Sequence, residues 1–255
     1  MKRFFLQLSY KGTNYVGWQI QPNGKSVQEE IEKSLSTLLR REISIIGQGR
    51  TDAGVHALKS YAHFDFEGTL PYTLEELTYK LNRLLSRDIA IQKCFEVDPH
   101  FHARFSATAR EYLYIIATEK SPFNVENSWL HYRAPQIDKM QEAAKYIMGQ
   151  HDFSSFCSAK SELLNKVCTV SKADWVQNSG QIEFRIKANR FVMNMVRSLV
   201  GTMVEIGLNK REISDMQKIL EAKDRTAAGV NAAPSGLHLI EVTYPEELFL
   251  WKTEE

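Results

Sequence analysis

The chain predicts an α+β fold with mainly antiparallel sheet, arranged as two related halves with helices packed on the sheet faces. Three observations predict it. Strand-period stretches alternate with amphipathic helical ones throughout the 255 residues. There is no GxGxxG turn and no long βαβ rhythm, which argues against a doubly wound parallel sheet. The order of elements in the first half recurs in outline in the second, with no residue-level repeat. The boundary falls near 100–106, giving halves 1–105 and 106–255, and no low-complexity linker marks it.

In the first half Phe4, Leu6, Leu8 and Tyr10 alternate with Phe5, Gln7 and Ser9, so the chain opens on a strand. Ser26 followed by Glu29 is a capping-box signature, and Val27, Ile31, Leu35, Leu38 and Leu39 continue at helical spacing. Residues 43–47 read as a short strand. Leu58, Ser60, Ala62, Phe64 and Phe66 form one face of a longer one. Thr73 and Glu76 start a second helix through Leu77, Leu81, Leu84 and Leu85, and a strand at 88–97 closes the half.

The second half begins with a strand at about 107–118, then a helix near 137–148 ended by Gly149. Strands follow at about 166–176 and 181–188. A long apolar helix covers 191–207, an amphipathic helix about 212–222, and a last strand 236–244.

Composition narrows the class. Hydrophobic residues are 43% and charged residues 25%, ordinary for a globular protein. Lys and Arg total 32 against 31 Asp and Glu, so RNA binding would need a local basic face. Cys94, Cys157 and Cys168 are odd in number and lack CxxC spacing, which reads as reduced thiols. His151 near Cys157 is too little for a zinc site. The apolar run at the N-terminus is too short for a signal peptide or a membrane helix, so a soluble cytoplasmic protein is expected.

The loop GQGRTDAGVHA, 47–57, holds a single carboxylate, Asp52, two residues after Arg50. Asp-Ala-Gly is good turn chemistry on its own. A carboxylate kept ionised by a neighbouring arginine is also a nucleophile or a base. The motif has no second acid for a two-carboxylate glycosidase, no set of carboxylates for magnesium, and no GK[ST] ending for a phosphate loop. His56 is either a proton shuttle or a structural histidine.

In ATAREYLYIIAT, 107–118, Arg110, Tyr112 and Tyr114 share one strand face. They are either ordinary aromatic packing or a platform on which a flipped base stacks beside a cation. In ANRFVMNMVRSLVG, 188–201, Arg197 is a permanent charge inside an apolar run. Around it, residues 187–211 carry five basic residues and one acid, Glu205. Arg197 either snorkels to the surface or meets a buried carboxylate, for which Asp52 is a natural candidate.

Taken together, YKGTNYVGWQIQPNGKSVQEEIE (10–32), GRTDAGVHA (49–57), FHARFSATAREYLY (101–114), GQHDFSSF (149–156), NRFVMNMVRSLVGTMVEIG (189–207) and APSGLHLIEV (233–242) closely resemble the TruA family of tRNA pseudouridine synthases, over nearly the whole chain. Lys11 stands where the family usually has Asp, and Gln48 where a smaller residue is more frequent; both departures bear on RNA contacts. The resemblance implies two halves around a central cleft, the first carrying the catalytic Asp loop and the second the Tyr strand and Arg helix. It implies Asp52 as the catalytic aspartate, Tyr112 stacking on the target uracil, and Arg197 paired with the aspartate. Arg50 would fill the space left by the flipped base, and Leu237 would wall the uracil pocket. It further implies isomerisation of uridines 38, 39 and 40 in the tRNA anticodon arm, no cofactor or metal, and a homodimer with one tRNA spanning both subunits.

Two rival classes make different predictions. A tRNA-binding module without catalysis would protect RNA stoichiometrically and leave its nucleosides unchanged. A hydrolase using Asp52 would release free uracil, and it lacks an obvious second carboxylate.

Overall fold

The computed structural model describes residues 1–250, and the chain divides into two compact units. One comprises Met1–Thr108 and resumes at Leu239; the other is Ala109–His238. Both are mixed α and β with mostly antiparallel sheet.

In the first unit, β1 (Lys2–Tyr10), β3 (His56–Phe66), β4 (Ile89–Val97) and the later residues of β10 (Leu237–Thr243) lie in the order β4-β1-β3-β10. The register sets Phe4 opposite Phe64 and Leu6 opposite both Ala62 and Cys94. Helix α1 (Val27–Leu39) starts where the Ser26 side chain accepts from the Glu29 N–H. Helix α2 (Leu74–Leu84) has the full reciprocal box between Thr73 and Glu76 and packs against β4.

Two sequence expectations for the first unit are corrected here. The strand expected at 43–47 shrinks to β2 (Ile46–Gly47). The backbone of Ile43 donates to Ser36 Oγ and that of Ile45 to Glu32 Oε1, so side chains of α1 take the bonds a sheet would use. Leu58 is exposed, because the β1–β3 register shifts between Leu8 and Tyr10 and Leu58 falls in the bulge. Phe5, which alternates with Phe4 and Leu6 along β1, is also fully buried. Its ring stacks on His63 at 5.7 Å and meets Tyr244 edge-on at 5.9 Å. Tyr61 also meets Tyr244 edge-on, so aromatics of the C-terminal segment cover this second face.

The second unit holds β5 (Ala109–Ala117), β7 (Gly149–Asp152), β8 (Val167–Asn178) and β9 (Gln181–Ala188) in the order β5-β9-β8-β7, and a short β6 (Trp129–Leu130) runs parallel to β5. Helices α3 (Ile137–Lys145), α4 (Met195–Gly207) and α5 (Asp215–Ala222) precede a short α6 (Glu247–Leu250) that belongs to the first unit. Helix α3 packs on β8 and α4; the Gln141 side chain accepts from the Trp175 N–H at 2.7 Å, and Trp175 stacks on Phe184 at 4.6 Å. The long apolar helix begins at 195 rather than 191. Asn194 sits in the left-handed region at φ 65°, which breaks helical continuity ahead of it. Cys94, Cys157 and Cys168 are free thiols in buried positions, and burial pushes Cys94 up to about 12 and Cys168 to about 11.

Candidate active site

Asp52 lies in the loop between β2 and β3, half-buried. The loop is held through the Thr51 side chain and through its own backbone. Thr51 Oγ1 is 2.9 Å from the Tyr10 hydroxyl, and the Thr51 carbonyl accepts from the Trp18 N–H at 3.2 Å. The Asp52 carbonyl accepts from the Val55 N–H, and Gly54 takes the left-handed φ of 79° that closes the turn. Gly17 packs directly against the residues around the aspartate. A Cβ there would stand 2.5 Å from the Thr51 carbonyl oxygen and 3.2 Å from the Asp52 carbonyl carbon, and its φ is +112°. Residues 10–18 therefore form a backbone cradle under the aspartate.

Arg50 is exposed at the rim of the same loop. His56 is 3% exposed, and its Nδ1 accepts from the Gly12 N–H at 3.1 Å, so it ties the cradle to β3 and serves the structural role. Gln48 is likewise buried at 3%, and its N–H donates to the Tyr61 carbonyl, so it faces protein.

In the second unit, Tyr112 and Tyr114 share the strand face predicted for them, with graded burial. Tyr114 is fully buried, donates to the Ala233 carbonyl at 2.7 Å, and its phenol is pushed well up by burial. Tyr112 is half-exposed and meets the edge of Phe191 at 5.1 Å and 90°. Arg110 Nη1 donates to the Asn189 carbonyl.

Arg197 is half-buried near the start of α4, and its Nε donates to the Ala232 carbonyl at 2.8 Å. The Ala232 N–H returns a bond to the Arg197 carbonyl. The strap carrying Ala232 lies tightly on α4. A Cβ at Gly201 would stand 1.8 Å from the Val230 carbonyl oxygen, and Thr202 Oγ1 accepts from the Gly229 N–H at 2.9 Å. Leu237 is buried at the start of β10, and the neighbouring His238 donates through Nε2 to the Asn127 carbonyl, with its pKa lowered by burial.

Within each unit, then, the structure joins Asp52 to Tyr10, Gly17, Trp18 and Thr51, and Arg197 to Thr202, Gly229 and Ala232 by way of the strap. These supporting residues carried no role in the sequence reading, although most stand in its quoted motifs. Their signal was glycine and small residues in segments far apart along the chain. Among the described residues no group of three or more His, Cys, Asp and Glu is placed to hold a metal ion, and no helix is long and apolar enough to cross a membrane.

Comparisons with known proteins bear on this arrangement. A family model described as tRNA pseudouridine synthase matches residues 8–106 and 143–245. A tRNA pseudouridine synthase A of Bacteroides thetaiotaomicron is 44% identical over 258 residues, covering 100% of this chain and 95% of that protein. Its counterpart in Bacillus subtilis is 40% identical, covering 93% and 97%. Among solved structures, a chain from a Cbf5-Nop10-Gar1 complex aligns at a TM-score of 0.40 and 12% identity, over 92% of this chain and 57% of that one, too distant to inform fold or function.

Proposed function

As a member of the tRNA pseudouridine synthase family, the chain is an isomerase, and we propose that it converts uridine to pseudouridine at positions 38, 39 and/or 40 of the tRNA anticodon arm, with Asp52 acting at the glycosidic carbon. The observation that carries this reading is the loop around Asp52. The half-buried carboxylate sits on a loop fixed by the Tyr10 hydroxyl at Thr51 Oγ1, by the Trp18 N–H at the Thr51 carbonyl and by the close approach of Gly17. Fixing a reactive group before the substrate arrives removes positional entropy from the barrier.

The chemistry suits these residues. The C1′–N1 bond of uridine breaks, the uracil turns, and C5 joins C1′. The C5 proton leaves to water and N1 takes one up, so nothing is oxidised or hydrolysed overall and no redox partner is required. Asp52 either attacks C1′ directly, forming a glycosyl ester, or removes a sugar proton on a route through a glycal; attack at C6 is a third route. In all three the carboxylate must be ionised, and Arg197 is read as its partner. The bond from Arg197 Nε to Ala232 aims the guanidinium, whose planar fork suits a carboxylate.

The target base must leave the helix stack to be reached. Tyr112 is read as its stacking partner, with Phe191 edge-on behind it as a backstop. Arg50, exposed beside Asp52, is read as filling the vacated space in the RNA. Leu237 supplies apolar wall that keeps water from the cleaved sugar, since water there would leave an abasic site. The resemblance supports a cytoplasmic homodimer that needs no cofactor.

The test is positional mapping. Purified protein is incubated with tRNA transcripts bearing uridine at 38, 39 and 40, and pseudouridine is located by carbodiimide adducts that stop primer extension. Stops at one or more of these positions are expected. A folded protein that binds the tRNA and yields no stop there would refute the reading.

A further inference from the structure

The segment 101–106, Phe-His-Ala-Arg-Phe-Ser, is a heavily pinned irregular stretch of the first unit, yet it holds an aromatic ring out in solvent. Phe105 is 75% exposed. Its backbone is not loose. Arg3 Nη1 donates to the Phe101 carbonyl at 2.9 Å while its Nε and Nη2 form a two-pronged pair with Asp65. The Ala103 N–H donates to the buried His63 Nδ1, and the Tyr244 hydroxyl donates to the Ala103 carbonyl. The His102 N–H donates to Ser106 Oγ, and the Ser106 N–H returns to the His102 carbonyl. His102 Nδ1 then accepts from both the Arg104 and Phe105 N–H groups.

The surroundings of the ring are equally specific. The His102 imidazole lies 4.5 Å from it at 35°, and the Arg104 guanidinium stands 5.5 Å from its centroid. Its exposed neighbours in the chain are Arg104 and Thr108, not apolar residues. A protein-docking surface needs a contiguous apolar patch of several hundred Å²; a lone rigid ring beside a cation is the equipment for a nucleobase, whose π-face stacks while the arginine takes phosphate. Pinning the turn matters because a platform that is already ordered loses little entropy on binding.

We propose that Phe105 is a second stacking platform for the RNA substrate, receiving an unpaired anticodon-loop nucleotide other than the one isomerised, and that Arg104 contacts the phosphate beside it. The proposal rests on the tRNA reading above. It adds a contact that sets affinity and choice of substrate, and leaves the chemistry at C1′ untouched. His102 acts as a positioning residue that fixes the ring through two backbone N–H groups.

The experiment measures binding of anticodon stem-loop RNA by filter retention at fixed salt, with steady-state kinetics on the same RNA. The variants are Phe105→Ala, Phe105→Leu, Phe105→Trp and Arg104→Ala. Stacking of one base predicts a loss of about tenfold in Kd and KM for Phe105→Ala. Phe105→Leu, apolar but without a π-face, should lose as much, and Phe105→Trp should bind as the parent does. Arg104→Ala should lower the slope of log K against log salt by about one phosphate's worth. A 2-aminopurine scanned through the loop should be quenched at one position by the parent and by Phe105→Trp only. Binding of Phe105→Ala within twofold of the parent, or parent-like binding of Phe105→Leu, would overturn the proposal while leaving the isomerase reading intact. A shift in oligomeric state with RNA affinity unchanged would assign the ring to a protein contact instead. A parent protein that neither binds nor modifies the RNA would overturn both.

Discussion

The Tyr10 hydroxyl lies 2.9 Å from Thr51 Oγ1, and both side chains are buried. This bond joins the end of the first strand to the residue immediately before Asp52, so the placing of the carboxylate depends on a side chain forty-odd positions upstream. Tyr10→Phe keeps the ring and removes the bond. It is expected to cost about 1 kcal/mol of stability and to lower kcat about tenfold or more, with RNA affinity little changed, because the reacting group is misplaced rather than the RNA released. Urea denaturation and single-turnover kinetics check it.

Gly17→Ala tests the cradle from the other side. The new Cβ would meet the Thr51 carbonyl oxygen at 2.5 Å from a backbone at φ +112°. Strain of this kind costs about 1–3 kcal/mol. The expected outcome is a lower melting temperature together with a loss of kcat larger than that of Tyr10→Phe. Parent-like activity in a folded variant would show that the approach of Gly17 does not position Asp52.

Arg197→Lys keeps the charge and loses the fork. The Nε–H bond to the Ala232 carbonyl cannot be made together with a planar grip on a carboxylate. Activity is expected to fall by about a hundredfold or more while thermal stability changes little. Lysine restoring near-parent kcat would mean that charge alone suffices.

His63 sets a pH signature in stability. Burial, with the Arg3 and His102 charges beside it and Asp65 opposing them, pushes its pKa down to about 4. The folded imidazole is therefore neutral where the unfolded one is already charged. Below the ordinary value near 6.5 the unfolded state binds the extra proton, so stability falls as pH drops from about 6.5 to about 4 and is unaffected above that window. The loss from this residue is at most about 3 kcal/mol. His102, lowered chiefly by burial, acts in the same direction. Chemical denaturation across the window should show a shallower slope for His63→Gln, whose side-chain oxygen still accepts from the Ala103 N–H.

Much of the fold was legible because periodicity and caps act locally. Ser26 with Glu29 and Thr73 with Glu76 start their helices as read, and β1, β4, β9 and β10 lie within two residues of their expected bounds. What escaped was non-local. The burial of Phe5 depends on Tyr244, the shortening of the strand before Gly47 on Ser36 and Glu32, and the start of α4 on a left-handed Asn194. The site divides the same way. Asp52 stood out as a lone acid in a turn, and Arg197 as a charge in an apolar run. The cradle of Tyr10, Gly17 and Trp18 and the strap ending at Ala232 were invisible, since each is a contact between segments remote along the chain.

Tritium release from tRNA anticodon arms labelled with [5-³H]uridine tests the central claim most directly, with the parent protein beside Asp52→Asn. Joining C5 to C1′ must free the tritium at C5. Release by the parent and none by a folded, RNA-binding Asp52→Asn is the predicted result. Release by the Asn variant at the parent rate, with deamidation excluded, would contradict the role of Asp52.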